Sequence, residues 1–156
     1  MSREDQLVAL GYPLDRIPAP AALYRPLVIC GTTAYVSGCL PFDGPGRLMS
    51  KGKLGRDVTL EEGRQGAALC AANILRLLRT ELGSLDRVER ILRIAGYVNS
   101  TEEFSDQHLV INGASELLVQ VLGEDAGMHA RTALGAAQLP LGASVEVDAV
   151  VELRSP

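Results

Sequence analysis

The sequence predicts an α+β fold in which a β-sheet carries two helices on one of its faces. Three features carry that reading. Thr59-Leu60-Glu61-Glu62 opens a long run of apolar residues at helical spacing that stops at Gly83. The segment Val145 to Leu153 alternates apolar and polar residues with the two-residue period of a strand. Around them, short β-prone runs and one further helical pattern give the order β-β-α-β-α-β-β.

Each element has a local reason. Arg3 to Leu10 forms a short helix stopped by Gly11 and Pro13, a piece expected to decorate the surface. Pro13, Pro18, Pro20 and Pro26 keep the next stretch extended, because each removes a backbone donor and biases its predecessor away from helix. Leu27-Val28-Ile29-Cys30 and Ala34-Tyr35-Val36-Ser37 flank Gly31-Thr32-Thr33, which suits a hairpin. Pro41 to Lys53, rich in glycine and basic residues, reads as an exposed, solvated loop.

The T-x-x-E spacing at Thr59 is that of a capping box, in which hydroxyl and carboxylate each satisfy an orphan backbone donor. From there Leu60, Ala67, Ala71, Ile74, Leu75, Leu78 and Leu82 line one face of a helix, with Gly63, Gly66, Cys70 and Asn73 as a neighbouring stripe suited to close packing on a sheet. Ile91 to Val98 reads as a strand with Arg93 interrupting one face. Ser105 to Leu122 reads as the second helix, burying Val110, Ala114, Leu117, Leu118 and Val121 before Gly123. Arg131 to Ala136 is a short strand that Leu139-Pro140-Leu141-Gly142 turns into the last one, and a hairpin is expected between the two. In that last strand one face packs on the helices while Glu146, Asp148 and Glu152 mark the other.

The 156 residues suit one core; residues 1–19 read as an N-terminal extension with a short helix and 20–156 as a single domain. A net charge of -4 argues against nucleic acid as a partner, since phosphate-backbone binding draws on an excess of Lys and Arg. No apolar run approaches the ~20 residues of a membrane span, and the N-terminus lacks the basic-then-apolar order of a signal peptide, so no membrane partner and a cytoplasmic location are expected. Cys30, Cys39 and Cys70 lie in apolar runs and read as buried, reduced thiols. Neither His108 nor His129 has a ligand at a recognised metal spacing, and the dinucleotide, P-loop and serine-elbow motifs are missing, so neither a metal nor a cofactor is implied.

Among polar residues Arg131, opening a strand, and Glu146, on the strand that follows it in sequence, stand out as functional candidates. The plainer reading of the pair is a solvated edge arginine or a salt bridge to Glu146. His129, two residues before Arg131, reads as a solvated loop histidine.

The run Arg131-Thr132-Ala133-Leu134-Gly135-Ala136-Ala137-Gln138-Leu139-Pro140, continuing to Val145-Glu146-Val147-Asp148, resembles the C-terminal signature of the Rid family, the reactive-intermediate deaminases also called YjgF-like proteins. Tyr24 ahead of Val36-Ser37-Gly38-Cys39-Leu40-Pro41 is similar to that family's N-terminal element, and Asn112-Gly113-Ala114-Ser115 resembles its asparagine-led second helix. The resemblance implies a chorismate-mutase-like fold, a homotrimer with ligand clefts between subunits, and hydrolysis of 2-imino acids or their enamine tautomers to 2-oxo acids and ammonia. It also assigns roles. Arg131 would hold the substrate carboxylate; Glu146, with the Ala133 carbonyl, would position water and move protons; Tyr24 would close the pocket, with Asn112 and Ser37 lining it. The chain departs from the family in carrying Ala133 where a cysteine is frequent, and in extra residues at Leu7 to Gly11 and between Phe104 and Asn112, which mark a divergent subgroup. Two other functions stay open at this level: a small-carboxylate-binding trimer without fast chemistry, and an endoribonuclease, against which the acidic balance counts.

Overall fold

The computed structural model describes residues 1–17, 19–20 and 22–155; Pro18, one of the four prolines read as keeping the N-terminal stretch extended, lies outside them. The elements in chain order are α1 (Arg3–Ala9), β1 (Leu27–Cys30), β2 (Thr33–Cys39), α2 (Leu60–Leu82), β3 (Val88–Asn99), α3 (Gln107–Leu122), α4 (Glu124–Gly127), β4 (Ala130–Ala136) and β5 (Val145–Leu153). Five strands form one sheet in the order β1-β2-β5-β3-β4, antiparallel except for β3 beside β4. This is the α+β layout read from the sequence.

Helix α2 begins where the capping box puts it. The Thr59 hydroxyl accepts from the Glu62 amide and the Glu62 carboxylate accepts from the Thr59 amide, and Gly83 ends the helix in the left-handed region. Its small-residue stripe lies against the sheet at Gly66 and Cys70 and beside it at Asn73, while Gly63 packs against Leu54 and Val110 instead. Gly66 faces Val145, the Cys70 thiol meets the Val145 carbonyl, and the Asn73 amide donates to the carbonyls of Leu40 and Phe42. Along β5 Val145, Val147, Ala149, Val151 and Leu153 are buried under the helices, while Glu146, Asp148, Val150 and Glu152 are half-buried on the open face.

Helix α3 crosses α2 with almost no clearance at Gly113, where a Cβ would overlap the Arg64 carbonyl oxygen. Backbone cannot swing aside as a side-chain tip can. Gly113→Ala is therefore expected to cost about 1–3 kcal/mol in urea unfolding; an unchanged midpoint would contradict this packing.

Four expectations are corrected. First, β4 and β5 do not form a hairpin. Helix α3 is a crossover that returns β4 parallel to β3, and β5 then inserts between β2 and β3, so β3 separates β4 from β5. Arg131 and Glu146 therefore stand two strands apart, and no salt bridge joins them.

Second, α1 is tied into the body of the fold. Leu7 is fully buried, Arg3 donates to the carbonyls of Leu85 and Val88, and the Glu4 carboxylate accepts from the Leu85 amide. Burying one leucine contributes about 1.5–3 kcal/mol, and the Arg3 and Glu4 hydrogen bonds and the Ser2–Asp5 capping box add to it in seating the helix.

Third, the 41–53 segment is partly internal. Pro41, Gly44 and Ser50 are buried, Ser144 donates to Ser50, and Lys53 donates to Asn99 Oδ1 and the Ala137 carbonyl.

Fourth, Cys30 is exposed on the edge strand β1, whereas Cys39 and Cys70 are buried. On this edge strand only Leu27 is partly covered, and Val28, Ile29 and Cys30 are exposed on both faces. Burial, reinforced by the nearby Glu146 and Asp148 carboxylates, pushes the Cys39 thiol up to about 12. Native protein is expected to take up one equivalent of a thiol reagent, at Cys30, with Cys39 and Cys70 reacting only on unfolding. Mass mapping of a label on native Cys39 would contradict this.

Among the described residues, no helix is long and apolar enough to cross a membrane.

Candidate functional site

The six residues singled out by sequence fall into two groups on different parts of the sheet. The first group lies on the open face. Tyr24, Tyr35, Ser37, Leu141, Glu146 and Asp148 line a shallow hollow of about 650 Å3. The Ser37 hydroxyl is spent on the Arg25 carbonyl at 2.8 Å, so it anchors the Tyr24 segment beside β2 rather than facing a ligand. Tyr24 is 43% exposed at the rim.

Glu146 is the chemically distinctive member. Its carboxylate lies flat on the β2 backbone, and a Cβ at Gly38 would overlap Glu146 Oε1, so only glycine leaves room for it. Burial in that position, and then the charge of Asp148 two residues along the same face, raise its carboxyl above the ordinary range. Asp148 accepts a hydrogen bond from the Tyr97 hydroxyl at 2.9 Å, and Tyr97 stands directly across from Glu146 on β3. A carboxyl of raised pKa beside a fixed neighbouring acid is suited to taking and returning protons.

The second group lies on the helix side, at the outer edge strand. Arg131 Nη1 donates to Asn112 Oδ1 at 2.9 Å and to Ser115 Oγ at 3.1 Å, and Nη2 donates to the His108 carbonyl at 3.0 Å. Helix α3 presents Asn112 and Ser115 three residues apart on one face, and β4 delivers the guanidinium to them. A guanidinium has five N–H donors. Among the described residues, three are taken, which leaves Nε–H and one Nη2–H for an external acceptor. Two adjacent donors on a planar group match a carboxylate. Ala133 follows Arg131 by two on the same strand, its methyl packed against the core.

Sequence reasoning missed Ser115 and His129 as parts of this group. His129 is not a solvated loop residue: it is half-buried, with Nδ1 2.6 Å from the Gly127 carbonyl and Nε2 3.0 Å from Ser115 Oγ. Burial lowers its pKa; the hydrogen bond to the Gly127 carbonyl works the other way, the charge of Arg131 adds to the lowering, and the net shift is downward, so the ring is neutral at physiological pH. The signal available was the i, i+3 spacing of Asn112 and Ser115 on a helix facing the strand of Arg131.

Another cleft, of about 490 Å3, opens between the N-terminal segment and the start of α2. Among the described residues, four of its five charged groups are committed, Arg16 with Asp43, Asp57 with Arg56 and Glu62 with Thr59, while Lys51 is not. Among the described residues, no three His, Cys, Asp or Glu side chains gather as a metal site.

Residues 4–153 match the family described as "YjgF/chorismate mutase-like, putative endoribonuclease". The chain is 45% identical over 149 residues to Protein TCP17 of Trypanosoma cruzi, covering 96% of this chain and 92% of that one. It is 45% identical to Atu1372 of Agrobacterium tumefaciens, whose crystal structure superposes with a TM-score of 0.91 over 97% of this chain and 92% of that one. RidA of the Antarctic bacterium Psychrobacter sp. PAMC 21119 shares the fold at 24% identity, with a TM-score of 0.59 over 89% of this chain and 95% of that one.

Proposed function

Because the chain belongs to the YjgF/chorismate-mutase-like family, we propose that it is a deaminase that hydrolyses small 2-imino acids to 2-oxo acids and ammonia. The observation that carries the reading is the pair of unspent donors on a guanidinium otherwise fixed by Asn112, Ser115 and the His108 carbonyl. Such a group grips a carboxylate and sets the orientation of the carbon next to it.

The second half of the chemistry needs Glu146, which lies on the other face of the sheet with β3 in between. One subunit therefore cannot supply both groups to one substrate. We infer a homotrimer in which the edge strand of one subunit, carrying Arg131 and Ala133, meets the open face of the next, carrying Tyr24 and Glu146. Exposed Val28, Tyr35 and Leu141 on β1, β2 and the rim of the hollow supply apolar surface for that contact. Sedimentation at micromolar concentration is expected to give a trimer; a stable monomer would contradict the arrangement.

In the cleft so formed the imine is already electrophilic at C2. Glu146 takes a proton from water as its oxygen bonds to C2 and passes it to the imine nitrogen; it then moves the hydroxyl proton of the adduct to the same nitrogen as the C–N bond breaks and C2 becomes the oxo carbon. The Ala133 carbonyl holds the same water, a role that asks nothing of a thiol. Water and imine give oxo acid and ammonia, so atoms balance with no cofactor. Imines of this class arise from pyridoxal-phosphate enzymes acting on serine or threonine. A net charge of -4 gives the ribonuclease reading no electrostatic basis.

The test is an assay with imines made in place by an amino-acid oxidase. The protein is expected to speed the release of ammonia and oxo acid beyond the spontaneous rate. No acceleration, together with carboxylate binding lost in Arg131→Ala, would replace the deaminase with a ligand-binding trimer.

A further inference from the structure

We propose that Ser115 and His129 form a hydrogen-bonded brace that aims the guanidinium of Arg131 and couples the binding of a small carboxylate there to proton uptake on the imidazole. The inference rests on Arg131 as the carboxylate holder and extends it to two residues of no assigned role.

The direction of every hydrogen bond in the brace follows from chemistry. The Gly127 carbonyl can only accept, so His129 Nδ1 carries the ring proton. In the neutral ring Nε2 is then an acceptor, so Ser115 donates to it. The Ser115 oxygen is left to accept from Arg131 Nη1. The chain therefore runs one way, from guanidinium to hydroxyl to imidazole to backbone carbonyl, and ends on the short α4 turn. With Asn112 on the second Nη1 proton, this fixes the plane in which the two free donors lie.

The surroundings of the ring make it responsive to the ligand. Helix α3 turns Ser115 to it, while the neighbouring Glu116 is paired with Arg64. The α4 turn offers the Gly127 carbonyl, its acids Glu124 and Asp125 being exposed. Arg93 of β3 reaches Thr132 instead, and β4 brings Arg131. The charge that bears on the ring is thus that of Arg131, which adds to burial in holding the imidazole neutral against the hydrogen bond to the Gly127 carbonyl. A carboxylate on Arg131 offsets that charge and makes protonation of His129 easier. Linkage is reciprocal, so a protonated His129 strengthens carboxylate binding by the same factor.

The experiment is calorimetric binding of 2-oxobutanoate, a stable product-type carboxylate, between about pH 5.5 and 8. Two buffers of different ionisation enthalpy report the protons taken up. Glu146→Gln serves as host, because the Glu146 carboxyl also titrates and its protonation also favours an anion. The host is expected to take up protons on binding and to bind about 3- to 10-fold more tightly at the lower pH. Adding His129→Gln is expected to abolish both effects, and adding Ser115→Ala to weaken binding at pH 8. Proton uptake that survives His129→Gln, or binding flat with pH in the host, would overturn the proposal.

The unmodified chain gives a second measure that needs no variant to fold. The titration midpoint of the His129 ring by NMR is expected to rise when 2-oxobutanoate is added, and a midpoint that stays put would overturn the coupling. The two proposals fail separately. Imine hydrolysis with pH-flat binding leaves the deaminase and removes the brace; proton-linked binding without hydrolysis does the reverse. No binding at any pH removes both.

Discussion

Arg131→Ala is expected to lower kcat/KM for small 2-imino acids by about 10- to 100-fold or more while leaving the fold intact. Charge-assisted hydrogen bonds contribute on the order of 1.5–3 kcal/mol each, and each ~1.4 kcal/mol is a factor of ten in rate. Folding suffers little. The three acceptors on α3 that lose their donor, Asn112 Oδ1, Ser115 Oγ and the His108 carbonyl, are partly exposed and can turn to water. Arg131→Lys is expected to recover only part of the activity, because an ammonium brings charge without the planar fork that reaches two α3 side chains and a carboxylate at once. Wild-type kinetics in the alanine variant, with assembly retained, would contradict the assignment.

The second large effect is expected at Glu146, where activity and stability move in opposite directions. Glu146→Gln keeps the shape that lies on Gly38 but removes the base, so turnover falls by about 100-fold or more with ligand affinity kept or raised. The stability effect has a defined sign. The folded carboxyl titrates above its ordinary value of 4.5, so between that value and the raised one the native state holds a proton that the unfolded state has lost. Wild-type stability therefore falls as pH rises through that window and is flat above it. Glutamine does not titrate. The melting temperature of Glu146→Gln is thus expected to equal that of wild type near pH 4 and to exceed it at pH 7 and above. A variant less stable than wild type at neutral pH would show that the ionised carboxylate is a favourable structural contact instead.

Much of the fold was legible because local chemistry and long-range packing agree. The capping box at Thr59, the glycine stop at Gly83 and the two-residue alternation of β5 each act within a few residues, and each appears where read. The site was legible only as residue types. Tyr24, Ser37 and Glu146 do gather on one face, and Arg131 and Asn112 do meet, yet the pairing of β4 with β5 was wrong. Adjacency in sequence favoured a hairpin through Leu139-Pro140-Leu141-Gly142. The sixteen-residue helix between β3 and β4 was the contrary signal, since a helical crossover commonly joins parallel neighbours. The roles of Leu7, Ser115 and His129 were not legible because they depend on partners far away in the chain or across helices, which no local pattern encodes.

The central claim is that one catalytic site takes Arg131 from one subunit and Glu146 from another. Subunit mixing tests it directly. Arg131→Ala and Glu146→Gln trimers, each nearly inactive alone, are unfolded together and refolded at equal concentration. A head-to-tail ring with composite sites then regains about a quarter of wild-type activity, because random assembly places an intact Arg131 beside an intact Glu146 at that frequency. Mixed trimers that form but recover no activity would contradict the claim.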